Sequence, residues 1–468
     1  MEMYKMFLKD AEKVAFDLEH RRKIKHNISR YDAQVPKGKA QFADLENARC
    51  RAANAKHKVL NDLEHYLIEF EKNFEKNGGK VIWAPTRKDA LREIMNILKE
   101  KRAKMVVKSK SIMSEELEIN DHLEKKKIEP VETDLGEYIV QVAGERPYHI
   151  LTPAMHKSKE DIAKLFHEKF GLDEDSTPEQ ITKYVRKVLR EKFREADAGI
   201  TGANFLIADT GSVCLTENEG NALMSFSFPK VHIAIAGIEK VIPSLADLHL
   251  FWPLLATMGT GQKVTAYNSI LSGPAREGEV DGPTEMYVIL LDNRRTEVMK
   301  NERLRRAMSC IRCGACLNAC PIYKNIGGYT YESTYTGPIG SVITPHMENM
   351  RDYKHLSFAS SLCGNCTSVC PVKIPLHELL LLNRYESVKD GFTTAGEQFV
   401  MRNIRSALLK RSWMNMGSGK IKSALVRTFF GKAWGPRREF PNLDQKPFNK
   451  MWRDLQAQQK KAKKEESD

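Results

Sequence analysis

Phe205-Leu-Ile-Ala208, Val213-Cys-Leu-Thr216 and Val231-His-Ile-Ala-Ile-Ala236 are three short apolar runs bounded by turn-forming residues. Runs of this length, rich in Val and Ile, read as strands. Asp209-Thr-Gly-Ser212 joins the first two as a turn into a hairpin. Working outward, the pattern repeats with helical stretches in between. Upstream, Val81-Ile-Trp83, Met105-Val-Val107, Tyr138-Ile-Val140 and His149-Ile-Leu151 continue the apolar runs. Lys88 to Lys99 has helical period, and Ser114-Glu-Glu116 resembles a helix start with acids in its first turn. Thr177-Pro-Glu-Gln180 combines a capping Thr, a Pro suited to the first helical position and a Gln able to close the capping box. Downstream, Tyr287 to Leu291 closes the series. Strands alternating with helices predict an α/β domain over residues 76–297, built on a parallel or mixed sheet with helices on its faces.

The flanks differ. Residues 1–75 are charged and helix-prone, with Val59, Leu60, Leu63, Leu67, Ile68 and Phe70 at near-helical spacing, and Asn77-Gly-Gly79 ends the pattern. Residues 298–385 hold the cysteine runs. From 386 to 468 the chain is basic and helical, with Arg402, Arg405, Lys410 and Arg411, then Pro436 and Pro441 in a loop and a lysine-rich tail, Lys460 to Lys464, expected to be disordered.

Composition narrows the class. The chain has 468 residues, 41% hydrophobic and 29% charged, which is enough apolar matter for packed cores and excludes a wholly disordered protein. The longest apolar candidate, Leu245 to Met258, carries Asp247, His249 and Pro253 and is too short to span a bilayer. The first residues, MEMYKMFLKDAEK, contain acids and no apolar core of a secretory signal, so the expected location is the cytoplasm. Lys and Arg exceed Asp and Glu by 74 to 61, a net charge of +13 spread along the chain. The basic end lacks aromatic residues interleaved with its lysines, so nucleic acid is not the expected partner. Trp413, Phe429, Phe430 and Trp434 are expected to pack a helical face. The charge agrees with docking to an acidic protein or with peripheral contact to a membrane surface.

Cysteine points to the chemistry. Seven of the nine cysteines lie between 310 and 370. An odd count with no export signal argues against a disulfide framework. The first run is Cys310-Ile-Arg-Cys313-Gly-Ala-Cys316-Leu-Asn-Ala-Cys320-Pro321, the C-x2-C-x2-C-x3-C-P spacing of bacterial-type iron–sulfur sites. Two-residue gaps wrap the backbone around one cluster, and the last cysteine, beyond a three-residue gap, ligates the other. The second run is Ser360-Ser-Leu-Cys363-Gly-Asn-Cys366-Thr-Ser-Val-Cys370-Pro371, with Ser360 where the first cysteine would stand. Crossing the last cysteines predicts one cluster on Cys310, Cys313, Cys316 and Cys370, and a second on Cys320, Cys363 and Cys366. The second lacks a fourth thiolate. Its open position admits Ser360, water or substrate on a [4Fe–4S] cluster. A [3Fe–4S] cluster is also open, as is a cysteine from a partner or from Cys214 or Cys50. Structural zinc sites show paired C-x2-C elements and four ligands per metal, which seven cysteines with two x3-C-P endings fit poorly.

The remaining motifs have plainer readings. Gly259-Thr-Gly-Gln262 lacks a third Gly at the dinucleotide spacing and reads as a turn ahead of an apparent strand at Val264. No Walker A sequence occurs. Glu217-Asn-Glu-Gly-Asn221 is a turn that could line a cleft. His232, inside an apolar strand, reads as a core residue. Cys50 and Cys214 read as small packed residues.

The stretch Ala196 to Asn221, ADAGITGANFLIADTGSVCLTENEGN, with Val231 to Lys240, resembles the LUD (lactate utilisation) domain. With the run Cys310–Cys320 and Ser361-Leu-Cys-Gly-Asn-Cys-Thr-Ser-Val-Cys-Pro-Val-Lys-Ile-Pro375 behind it, the chain from about Ala84 onward resembles the lactate utilization protein B family. The missing eighth cysteine agrees with that family's pattern. The resemblance implies a three-layer LUD α/β fold with a sugar-isomerase/CoA-transferase-like sheet, followed by an α-helical ferredoxin-type domain with two [4Fe–4S] clusters. It implies membership of a multi-protein system oxidising L-lactate to pyruvate. The implied partners are a cysteine-rich subunit of the heterodisulfide-reductase type and a second, smaller LUD protein. Competing roles are an iron–sulfur subunit of another hydroxy-acid or glycerol-phosphate dehydrogenase, and an iron–sulfur regulatory or scaffold protein.

Overall fold

The computed structural model describes residues 2–415, 417–434 and 439–465. Ten strands occur in it: β1 (Lys80–Ala84), β2 (Met105–Lys108), β3 (Glu129–Glu132), β4 (Ala198–Gly202), β5 (Phe205–Ile207), β6 (Ser212–Glu217), β7 (Val231–Gly237), β8 (Val241–Ile242), β9 (Tyr267–Leu271) and β10 (Glu285–Leu291). Six form a sheet of order β1-β10-β7-β4-β2-β3 in which every neighbouring pair is parallel. The central strand β7 is buried at every residue, because a parallel strand with covered faces must be apolar on both sides. A second sheet, β8-β5-β6-β9, is mixed, and the β5–β6 hairpin turns at Asp209 to Gly211 as its sequence requires.

Chain order locates the crevice. After β2 the chain adds β3 on one side, and then returns to lay β4 on the other side of β2, against β7. Connections therefore diverge beyond the carboxyl ends of β2 and β4, the place where open α/β sheets leave a binding crevice. Ser109 to Ser111 leave β2 there, and Gly202 to Asn204 leave β4.

Three local expectations change. His149-Ile-Leu151 is irregular backbone between the helix Leu135–Ala143 and the helix Lys159–Phe170, not a strand. Tyr138-Ile-Val140 lies in a helix, Leu135–Ala143, not a strand; Asp134 caps its start and Gly144 closes it. A three-residue apolar run has no periodicity, and the caps decide. The strand expected at Val264 begins at Tyr267. The helix at Pro178–Glu195 forms with its full capping box.

Four helices precede β1: Glu2–Phe16, Leu18–Lys39, Leu45–Asn61 and Leu63–Lys76. The first two pack against the cysteine-bearing region, and the second and third against the helix Leu248–Thr260 of the α/β part. One continuous apolar core runs from Phe7 through β5 and β7-side residues to Cys313, Cys366, Cys370 and Leu382. Residues 1–387 are accordingly one compact unit.

Residues 388–468 are a second unit. It holds helices Ala395–Leu409, Arg411–Asn415, Gly419–Trp434 and Phe448–Glu465. The lysines at 460 and 461 continue the last helix instead of forming an irregular tail, since the run Leu455-Gln-Ala-Gln-Gln-Lys-Lys is made of strong helix formers. Trp413, Phe429, Phe430 and Trp434 are exposed instead of covered by a helical face, although the Trp434 ring lies against Phe440. Pro436 lies outside the described residues. Among the described residues no helix is long and apolar enough to cross a membrane.

Candidate iron–sulfur centre and adjoining cavity

The two cysteine runs share a backbone. Arg312 and Gly314 flank Cys313 with φ of +60° and +76°; Leu362 and Gly364 flank Cys363 with φ of +54° and +82°. Left-handed residues on both sides of a cysteine curl the chain, and glycine makes the second of them inexpensive. A short helix follows each curl, Ala315–Ala319 carrying Cys316 and Asn365–Ser368 carrying Cys366, and the two helices pack against each other. The repeat extends to the first position. Arg312 N–H donates to Cys310 Sγ at 3.4 Å, and Leu362 N–H donates to Ser360 Oγ at 3.1 Å. Ser360 thus occupies the place of Cys310 in its own run.

The sulfurs fall into two sets. Burial pushes the Cys313 and Cys316 thiols up, and neighbouring Cys310 and Cys370 push them further. Burial pushes Cys370 up to about 11, with Cys310 adding to it. Burial likewise pushes Cys366 up to about 11, with Cys320 and Cys363 adding. Cys320 is raised by burial, with Cys363 contributing. One set is thus Cys310, Cys313, Cys316 and Cys370, where Cys310 raises the other three; the other is Cys320, Cys363 and Cys366, where Cys363 raises the other two. Backbone N–H groups point at them: Tyr323 to Cys320 at 3.5 Å and Ile374 to Cys370 at 3.3 Å.

This donor set fits iron–sulfur clusters. Four of the seven thiols, Cys313, Cys316, Cys366 and Cys370, are buried; buried thiols are poor acids on their own and become thiolates when a cationic centre takes them. Peptide N–H groups aimed at sulfur stabilise that anionic form. Among the described residues no three His, Cys, Asp or Glu side chains converge closely enough to hold a single metal ion. A cubane takes one thiolate per iron and so spreads its ligands more widely.

The other two cysteines stand apart in their contacts. Cys214 is buried in β6 and accepts a hydrogen bond from Trp252 Nε1 at 3.1 Å. Cys50 is half-buried in the helix Leu45–Asn61, where Lys373 Nζ lies 3.3 Å from its sulfur. The adjacent Arg49 donates to the carbonyls of Ser368 and Cys370, tying the N-terminal helices to the second run.

A buried ionic chain joins the α/β part to the cysteine region. Arg295 donates to Glu239 Oε2 at 2.7 Å and forks onto Glu116 at 2.9 and 2.7 Å. Arg312 reaches Glu239 Oε1 at 3.4 Å and stacks 4.4 Å over the Tyr335 ring, whose hydroxyl donates to Glu116. Lys56, fully buried, donates to the carbonyls of Glu239 and Val241, and burial pushes its ammonium down to about 7. Sequence reading missed Lys56, Glu116, Glu239, Lys240 and Arg295. The one available signal was the charged pair Glu239-Lys240 directly after the apolar run of β7, in the turn Ile238–Lys240.

Beside this chain lies a cavity of about 810 Å³. Ser109 to Ser111 and Gly202 to Asn204, at the carboxyl ends of β2 and β4, form one side; Arg312, Leu317 and Ile339 form the cysteine side. Glu217 and Asn218 line it, as the cleft reading of their motif allowed. Gly261 is the left-handed cap of the helix Leu248–Thr260, the turn expected of that segment. His232 is a core residue, its Nε2 2.9 Å from Thr201 Oγ1.

Residues 67–291 match the LUD domain and residues 306–374 match a 4Fe-4S dicluster domain. Lactate utilization protein B of Bacillus cereus (strain AH820) is 41% identical over 425 residues, covering 88% of this chain and 89% of that protein. The chain belongs to the lactate utilization protein B family. Lactate utilization protein B of Bacillus thuringiensis (strain Al Hakam) is equally similar, at 41% identity over 425 residues and the same coverage. A crystal structure of a DUF162 family protein from Deinococcus radiodurans aligns with 49% of this chain and 98% of that one, at 13% identity and a TM-score of 0.29. For this member of the lactate utilization protein B family, the α/β class with N-terminal helices and a C-terminal helical 4Fe–4S region is the architecture observed.

Proposed function

We propose that the chain is the iron–sulfur electron-transfer subunit of a cytoplasmic, multi-protein complex that oxidises L-lactate to pyruvate. The observation that carries the reading is the crossed arrangement of sulfurs, with Cys370 beside Cys310, Cys313 and Cys316, and Cys320 beside Cys363 and Cys366. Those residues would hold two [4Fe–4S] clusters, which carry one electron at a time when bound. Lactate gives up two electrons and two protons, so two adjoining carriers suit the stoichiometry. Cys313, Cys316, Cys366 and Cys370 are buried in the common core, Cys310 and Cys320 are half-buried and Cys363 is exposed, and the N–H donors favour the anionic form of sulfur. The partners in this reading are a cysteine-rich heterodisulfide-reductase-type subunit and a smaller LUD protein.

The test is the reconstituted complex supplied with L-lactate, glycolate or glycerol phosphate. Reduction of this chain by L-lactate is expected. Reduction by another of these substrates and not by lactate would overturn the assignment.

Ser360 is the proposed fourth ligand position of the second cluster, because its Oγ takes the same N–H that a cysteine takes in the first run. Ser360→Ala is therefore expected to change the paramagnetic spectrum of the second cluster and leave the first unchanged. An unaltered spectrum removes Ser360 from the ligand set.

A further inference from the structure

The buried ionic chain beside the first cysteine run does not balance. Lys56, Lys240, Arg295 and Arg312 are buried in it with two carboxylates, Glu116 and Glu239. Arg295 takes both carboxylates, and Arg312 shares Glu239. Lys56 is held by backbone carbonyls, those of Glu239 and Val241. Among the described residues Lys240 Nζ has neither a hydrogen-bond acceptor nor an ion-pair partner in contact. Four cations against two carboxylates leave two positive charges over. Buried charge without counter-charge is costly, so its presence calls for an anion nearby.

The surplus lies beside Cys310. The helix Leu45–Asn61, which carries Lys56, packs against the turn Arg306–Ser309 that leads into Cys310. Lys240 ends the turn Ile238–Lys240, and Arg312 reaches Glu239 of that turn while its backbone N–H donates to Cys310 Sγ. Burial pushes the ammonium of Lys56 down to about 7 and, with Arg312, that of Lys240 down to about 8; Glu239 and then Cys310 oppose the fall in both. The second set of sulfurs differs. Lys324, the cation acting on Cys320, is paired with Asp32, and Cys363 is exposed.

An oxidised [4Fe–4S] core is doubly positive, so four thiolates around it make a dianion, and one further electron makes a trianion. The two spare positive charges equal the charge of that dianion. We infer that Lys56 and Lys240 are the buried counter-charges of the cluster on Cys310, Cys313, Cys316 and Cys370, and that they raise its reduction potential. The inference rests on the cluster assignment proposed above. A fixed cation favours the more negative, reduced form, and away from water its effect is weakly screened.

The test is an anaerobic potentiometric titration of the full chain with redox dyes, each cluster followed by its paramagnetic spectrum; neither lactate nor a partner protein enters it. Lys240→Met is expected to shift the first cluster towards its oxidised form at least about tenfold at a fixed potential, about 59 mV for one electron, and to leave the second cluster unchanged. Lys240→Arg should titrate as the unaltered chain does. Glu239→Gln deletes a negative charge and should raise the first potential. Loosened packing alone would not produce shifts of opposite sign. If Lys240→Met takes up no iron, Lys240→Arg and Glu239→Gln decide. The inference is overturned if Lys240→Met leaves the first potential in place, if both clusters move together, or if Glu239→Gln fails to raise it. An unaltered chain without iron at its cysteines would sink the cluster reading; two clusters indifferent to these charges would sink this inference and leave that reading standing.

Discussion

Cys366→Ser is expected to reduce lactate-driven electron transfer in the reconstituted complex to background. Cys366 is buried at 7% exposure, opens no disulfide and lies among Cys320 and Cys363. That set has only three sulfurs. Serine keeps the size but offers an oxygen that gives up its proton far less readily than a thiol, and soft sulfur ligation is what iron–sulfur centres require. Losing one of three thiolates leaves two, too few to retain the centre. Cys214→Ala is the matched control. Cys214 is also buried, but it packs in β6 against Trp252, and electron transfer should survive its loss. Full turnover with Cys366→Ser would count against the relay; equal damage from Cys214→Ala would mean that any core cysteine is merely structural.

Arg295→Ala should destabilise the 1–387 unit by about 3–5 kcal/mol, the cost of leaving buried charges unpaired. Arg295 is fully buried between Glu116 and Glu239. Removing it takes the cation from Glu116, which keeps only the Tyr335 hydroxyl and the Asn293 amide, and leaves Glu239 with Arg312 alone at 3.4 Å. The pH dependence follows from the same contacts. Burial alone would raise the Glu239 carboxyl, but Arg295, Arg312 and Lys240 outweigh burial and hold it at about 2, against an ordinary value of 4.5. A carboxyl lowered in the folded state contributes stability above its unfolded value, and that contribution is lost as pH falls from about 4.5 towards about 2. Without Arg295 the loss should begin at higher pH. Urea unfolding of both chains between pH 7 and pH 3 measures this. A change below about 1 kcal/mol would mean that the ionic chain does not hold the two parts together.

The parts legible in the sequence were those encoded locally. Two-residue cysteine gaps, a glycine after Cys313 and Cys363, and a proline after each last cysteine specify a curl and a short helix without reference to the rest of the chain. The capping box at Thr177 and the hairpin at Asp209 are local in the same sense. The β7 run is legible because a doubly covered strand has to be apolar throughout. Tyr138 to Val140 was ambiguous because three apolar residues fit either period, and Asp134 and Gly144 settled it.

The ionic chain was not legible. Glu116, Glu239, Arg295, Arg312 and Lys56 come from five separated segments, and each alone looks like an ordinary charged residue. Only the tertiary fold, which leads β7 and the first cysteine run to one spot, makes them partners. The exposed aromatic residues of the 388–468 unit are the converse case. Their helical spacing predicted a packed face, and periodicity alone does not say whether a face has anything to cover it.

The account rests on paired iron–sulfur clusters, and the most direct measurement is the iron and acid-labile sulfide content of anaerobically purified full chain, read together with its paramagnetic spectrum. Two cubanes predict a coloured protein with about eight irons and about eight sulfides per chain. A colourless preparation carrying zinc at the cysteine positions would contradict it.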